Sequence, residues 1–139
     1  MRCVAWNMLS YKRMALLPMG SFRRSVYFAV QGIMEAVRRE RNVRRQLIVF
    51  ALALLAAYGL KLSWLAWALI VVMSSVVLMA ELFNTALEAL ADAVHPQQHP
   101  QIRLAKDIAA GAVLLASFFA LLVGGLIFLE ALLSRLGQI

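Results

Sequence analysis

Trp64-Leu-Ala-Trp-Ala-Leu-Ile-Val-Val-Met-Ser-Ser-Val-Val-Leu-Met-Ala80 runs without a break into Glu81-Leu-Phe-Asn-Thr-Ala-Leu-Glu-Ala-Leu-Ala-Asp92. The first part is apolar apart from Ser74 and Ser75 and reads as a membrane helix. The second part places three carboxylates and an amide on the end of that helix. At about 100° per residue, Glu81, Asn84, Glu88 and Asp92 share one narrow face. Acids at the edge of a bilayer are costly and mark function by default. A one-sided carboxylate cluster suits binding a divalent cation or taking up a proton.

Composition agrees with a membrane protein. The chain has 139 residues, of which 63% are hydrophobic, and a mean hydropathy of +0.80. That is too apolar for a soluble globular domain. The net charge is +7, and ten of the fourteen Lys/Arg lie in residues 1–46. A basic end beside apolar spans fits the anionic cytoplasmic membrane face. It does not fit nucleic acid, because no aromatic-interleaved basic module accompanies it. The lone Cys3 supports neither a disulfide nor a metal cluster. Residues 1–20 are broken by Lys12-Arg13 and Pro18, so they lack the apolar core of a signal peptide. They read as a flexible N-terminal extension, with Met14 or Met19 as alternative starts, ahead of a single domain over 21–139.

Within that domain, Phe22, Val26, Val30, Ile33 and Val37 form one helical face, and Arg24, Gln31, Glu35 and Arg38 form the opposite one. This predicts an amphipathic helix over 21–45 lying on the membrane surface. Three spans follow, at about 46–62, 64–84 and 108–129, each near the roughly 20 residues a bilayer requires. Lys61-Leu-Ser63 makes a tight link. The stretch 93–105, with Pro96 and Pro100, makes a loop. The fold class is therefore an all-α membrane protein, with a surface helix plus three transmembrane helices. Twelve Lys/Arg fall on one side and two, Lys61 and Arg135, on the other. The bias predicts a cytoplasmic N-terminus and an outside C-terminus at the bacterial inner membrane.

Depth arithmetic then sorts the polar groups. From Trp64 and Trp67 at the outer interface, a rise of about 1.5 Å per residue crosses a ~30 Å core near residue 84. Glu81 thus sits just inside the inner edge, and Glu88 and Asp92 reach beyond it. Glu40 and Lys106-Asp107 fall at the same depth. No charge lies near the midplane of any span, which disfavours a channel, proton relay or transporter. A site in this layer meets a lipid headgroup on one side and a soluble cofactor on the other. Glu40 and Glu88, hard oxygen ligands near water, suit Mg²⁺ carrying nucleotide phosphates. Glu81, drier, suits a general base. Lys106 suits phosphate charge, and Asn84 can orient either acid. Taken singly, each has a plainer reading. Glu81 fits a structural acid paired with Lys106, Glu88 and Asp92 a solvated helix end, Glu40 a surface ion pair, and His95 and His99 loop residues.

The residues Glu81-Leu-Phe-Asn-Thr-Ala-Leu-Glu88, followed by Ala105-Lys106-Asp107-Ile-Ala-Ala-Gly111-Ala-Val, resemble the small prokaryotic integral-membrane lipid kinases. That family comprises diacylglycerol kinase and undecaprenol kinase. Gly32 and Glu40-Arg-Asn-Val-Arg44 extend the resemblance, which runs from about Ser21 to Leu129. It implies a homotrimer of three-span protomers with active sites shared between neighbours. It also implies ATP as phosphoryl donor and Mg²⁺ as cofactor, without a P-loop; indeed no G-x-x-x-x-G-K-[ST] occurs. By position, Glu81 is implied as general base with Asn84 beside it, and Glu40 and Glu88 as metal ligands. Lys106, Asp107, Phe28, Gln97, Gln98 and His99 are implied as nucleotide contacts. Ser21 stands where some members carry an arginine. The Ile108-Ala-Ala-Gly-Ala-Val113 run is similar to the undecaprenol branch, which leaves the acceptor open.

The resulting expectation is an ATP- and Mg²⁺-dependent phosphotransferase acting on the hydroxyl of diacylglycerol to give phosphatidic acid. Undecaprenol is the alternative acceptor. A non-enzymatic three-span scaffold is the alternative of another class. The partners expected are the lipid, ATP and further copies of the chain, with no nucleic acid.

Overall fold

The computed structural model describes residues 21–94 and 99–137. All the secondary structure among them is helical: α1 Ser21–Arg39, α2 Arg41–Gly59, α3 Trp64–Val94 and α4 Pro100–Leu136. The extension 1–20 and residues Gln97 and Gln98 lie outside the described residues. The chain divides into two compact units between Met34 and Glu35, inside α1.

In the first unit, Phe22, Val26, Val30 and Ile33 are all exposed along one face of α1. Its polar face is laced by local contacts. Gln31 donates to the Tyr27 hydroxyl at 3.0 Å, and the Arg24 guanidinium lies 5.9 Å from the centre of the Phe28 ring.

The second unit begins with a break that the sequence pattern does not announce. The helix expected over 21–45 is divided at Glu40, whose backbone is extended (φ −93°, ψ 120°). Nothing in Arg38–Arg45 is a helix breaker, and a side chain of α2 bridges the break. Arg44 donates to the carbonyls of Val37 at 3.2 Å and Arg38 at 2.7 Å. It thereby satisfies acceptors that the end of α1 leaves open.

α2 ends in a Schellman turn. The Leu62 amide donates to Ala57 and the Lys61 amide to Tyr58, with Lys61 in the left-handed region at φ 51°. Ser63 then starts α3, its Oγ accepting from the Ala66 amide at 3.3 Å. His99 does the same for α4, its Nδ1 accepting from the Gln101 amide at 3.3 Å, with Pro100 in the first turn. At the far end, Arg135 donates to the Gly59 carbonyl at 3.2 Å, joining the end of α4 to the end of α2.

α3 is the central helix, packed against both α2 and α4. Its buried residues, Ile70, Val77 and Glu81, form one stripe at helical spacing. Val43 and Ala57 are the buried residues of α2, and α4 buries none. α3 and α4 are long and apolar enough to cross a membrane. Phe118, Leu121, Leu126 and Leu129 of α4 are exposed, so α4 is not the core helix of a soluble domain. Lipid or another helix is the medium such a surface requires.

Candidate functional site

The buried stripe of α3 ends in a charge. Glu81 follows Val77 by one turn and is 4% exposed, the one buried polar or charged residue among those described. A carboxylate there needs partners, and α2 supplies one. Asn42, two residues after the break at Glu40, has its side-chain amide placed to act on Glu81. Its amide oxygen accepts from Arg45 at 3.3 Å, which fixes which end of the amide faces the acid. The extended backbone at Glu40 therefore has a structural use. It starts α2 where Asn42 reaches α3.

Glu88 and Glu40 each act on Glu81 through their charge. Asn84 lies between Glu81 and Glu88 along α3 and donates to the Glu88 carboxylate at 3.0 Å. Its own Oδ1 is buried and accepts no hydrogen bond. An orphaned buried acceptor is costly and marks a place where a donor or cation is expected. Among the described residues no group of three or more His, Cys, Asp or Glu is placed to hold a metal ion. The oxygens available near Glu81 are the Glu40 and Glu88 carboxylates and Asn84 Oδ1. That hard-oxygen set suits a cation that takes its remaining ligands from phosphate and water.

Lys106 closes the arrangement from α4. Its partner is Asp92, with Nζ 2.6 Å from Oδ1, and not Glu81. This hydrogen bond, with the charge of Asp92 and the more distant Glu88, holds the lysine pKa above its ordinary value. Asp107 faces Arg103 at 4.0 Å, both largely exposed. Phe28 belongs to the other unit, beneath Arg24. Beside this layer an apolar groove of about 480 Å³ runs between α2, α3 and α4. Gln46, Phe50, Ser74, Val77, Ser117 and Phe128 are among its walls. Val77 brings its inner end to within one turn of Glu81.

An apolar groove whose wall residue Val77 lies one turn before a buried acid is matched in sequence as well. The prokaryotic diacylglycerol kinase family profile aligns with residues 27–128. The chain belongs to this family.

This family member is 40% identical over 111 residues to a diacylglycerol kinase of Synechocystis sp. (strain ATCC 27184 / PCC 6803 / Kazusa). The match takes in 79% of this chain and 63% of that protein, so the chain spans less than two thirds of that relative's length. It is 34% identical over 111 residues to an undecaprenol kinase of Bacillus subtilis (strain 168), covering 80% of this chain and 90% of that protein. A diacylglycerol kinase of Helicobacter pylori (strain ATCC 700392 / 26695) is 32% identical over 88 residues, 62% of this chain and 68% of that one. The aligned region contains every candidate residue from Phe28 to Asp107.

Of the residues singled out from sequence, the structure brings Glu40, Glu81, Asn84, Glu88 and Lys106 into one electrostatic neighbourhood. His99 serves as the cap of α4. Asn42 is the residue that sequence reasoning passed over. Asn42 lay inside the quoted Glu40–Arg44 element, but its partner is remote in sequence. The sequence presents Asp92 as a solvated helix end; it is exposed, and it also pairs with Lys106.

Proposed function

We propose that this protein transfers the γ-phosphoryl group of ATP to the hydroxyl of diacylglycerol in the membrane, giving phosphatidic acid and ADP. The observation that carries this reading is Glu81. It is a buried acid that continues the apolar stripe of α3, one turn beyond Val77 of the hydrocarbon-lined groove, in a chain of a lipid kinase family.

In the proposed mechanism the hydrocarbon chain of the acceptor lies in the groove and its hydroxyl meets Glu81. Glu81 accepts the hydroxyl proton as the lipid oxygen bonds to the γ-phosphorus, and the bond from that phosphorus to the β,γ-bridging oxygen breaks. Asn42 holds the Glu81 carboxylate in place. Asn84 aligns Glu88 with one end of its amide and offers Oδ1 with the other. Glu40 and Glu88 would hold Mg²⁺, which when bound neutralises phosphate charge. Lys106 adds a point charge toward the phosphates, and Asp107 and the Gln97–His99 segment contribute to holding the nucleotide. Phosphoryl transfer needs mainly such positioning and charge neutralisation.

We further read α2 as the third membrane span, α1 as a surface helix, the N-terminus as cytoplasmic and the bilayer as the inner membrane. The assembly is a homotrimer with shared sites. The open face of α4 supports this: a Cβ added at Gly111, Gly124 or Gly125 would meet nothing within 4 Å, which leaves room for close helix approach.

Undecaprenol as acceptor is the second reading. The similarity to the Bacillus subtilis undecaprenol kinase favours it, because it extends over 90% of that protein. Purified protein in mixed micelles with ATP and Mg²⁺, offered each lipid in turn, decides between them by kcat/KM. A preference for undecaprenol would overturn the diacylglycerol assignment.

A further inference from the structure

The mechanism above leaves Asp92 without a task. It ends the acidic face of α3, two residues before the helix stops, and its side chain is 74% exposed. An acid so placed has little to do for stability, because exposed ion pairs contribute little. Yet it meets Lys106 at 2.6 Å across 14 residues of sequence, joining the end of α3 to the second turn of α4. The lysine is the more covered partner, at 32% exposure.

Lysine is a point charge on a flexible four-carbon stem, so it must be aimed by its surroundings. Among the described residues, the other acid acting on Lys106 is Glu88, one turn before Asp92 on the same face of α3. Without Asp92, the nearest attraction draws the ammonium toward Glu88, the carboxylate proposed for the metal. Two errors would then arise together. The lysine would leave the phosphates, and Glu88 would be partly neutralised. With Asp92 present, one of the three ammonium N–H groups is occupied and two remain for phosphate oxygens.

We propose that Asp92 is a positioning residue for the kinase reaction, holding Lys106 toward ATP and away from Glu88. The proposal rests on the reading of Lys106 as a phosphate-binding group. It concerns the nucleotide half of the site and leaves the lipid half untouched.

The test uses full-length protein in mixed micelles, with KM measured separately for ATP and for the lipid. ATP–Mg²⁺ binding is measured by equilibrium dialysis, and thermal melting is followed in the same micelles. Asp92→Asn is expected to raise the KM for ATP by about tenfold, the loss of one charge-assisted contact. The lipid KM and the melting temperature should stay within error. Asp92→Glu should restore most of the ATP affinity. The double exchange Asp92→Lys with Lys106→Asp keeps an ion pair but reverses it. It should melt like the parent and still bind ATP poorly, whereas a purely structural pair would regain full binding. Regained binding in the exchange, or an unchanged ATP KM in Asp92→Asn, overturns the proposal. Lys106→Met serves as the control. If it leaves ATP binding intact, the reading of Lys106 itself fails. If it weakens ATP binding while Asp92→Asn does not, the assignment of Asp92 alone fails.

Discussion

Asn84 donates to the Glu88 carboxylate at 3.0 Å, and its carbonyl oxygen, buried on the same amide, accepts no hydrogen bond. The amide is therefore held by one end and presents the other. Asn84→Leu removes both functions. Asn84→Asp keeps an oxygen but sets a second negative charge against Glu88. Both are expected to reduce kcat by about 10²-fold or more, as loss of a buried polar positioning group does. Steady-state assays at saturating ATP and lipid check this. Asn84→Asp should also shift the Mg²⁺ concentration required for half-maximal activity.

Glu81 trades stability for chemistry. It occupies a position in the Ile70–Val77 stripe where an apolar residue would pack. Glu81→Leu is expected to abolish phosphoryl transfer while raising unfolding stability by about 1 kcal/mol or more, since replacing a buried charge with apolar volume is commonly stabilising. A thermal or denaturant titration in micelles reads this out. A clear drop in stability would show that the hydrogen bond from Asn42 outweighs the desolvation of the acid.

Arg44 is a structural residue within the basic segment. Its guanidinium donates to two carbonyls of the last turn of α1. Arg44→Ala is expected to destabilise the protein by about 1 kcal/mol, the lower end for exposed charged hydrogen bonds. Arg44→Lys should recover less than half of that, because an ammonium lacks the forked geometry. Arg45→Ala, by contrast, acts through Asn42 and should lower activity more than stability.

The Asp92–Lys106 pair also sets a pH dependence. The hydrogen bond and charge of Asp92 favour the ammonium form, so the folded-state pKa of Lys106 lies above its ordinary 10.5. The stabilising contribution is full below the ordinary value and is lost only as pH rises through the raised one. The wild-type kcat/KM for ATP should therefore show no lysine-linked decline through neutral and mildly alkaline pH. Asp92→Asn should move the alkaline limb to lower pH.

Much of this arrangement is legible in residues 64–92, because one unbroken helix carries both the apolar stripe and the acids. Helical spacing alone puts Glu81, Asn84 and Glu88 on one face, and the hydrogen bond from Asn84 to Glu88 is the local contact that spacing implies. The remainder depends on contacts between helices. The break at Glu40 has no proline or glycine to announce it, and Arg44 reaches back across it to α1. Asn42 acts on Glu81 because α2 packs on α3. One reading of the sequence pairs Lys106 with Glu81, but α4 starts at Pro100 in a register that brings the lysine to Asp92 instead.

The central claim is that Glu81 is the base in phosphoryl transfer to a lipid hydroxyl. The most direct measurement follows transfer of labelled phosphate from γ-labelled ATP to diacylglycerol and to undecaprenol, comparing the parent protein with Glu81→Gln, a near-isosteric change. The account predicts labelled lipid product from the parent, a fall in kcat of about 10²- to 10⁴-fold in the variant, and ATP–Mg²⁺ binding unchanged by dialysis. Undiminished transfer by Glu81→Gln, or no labelled lipid from the folded parent with either acceptor, would contradict it.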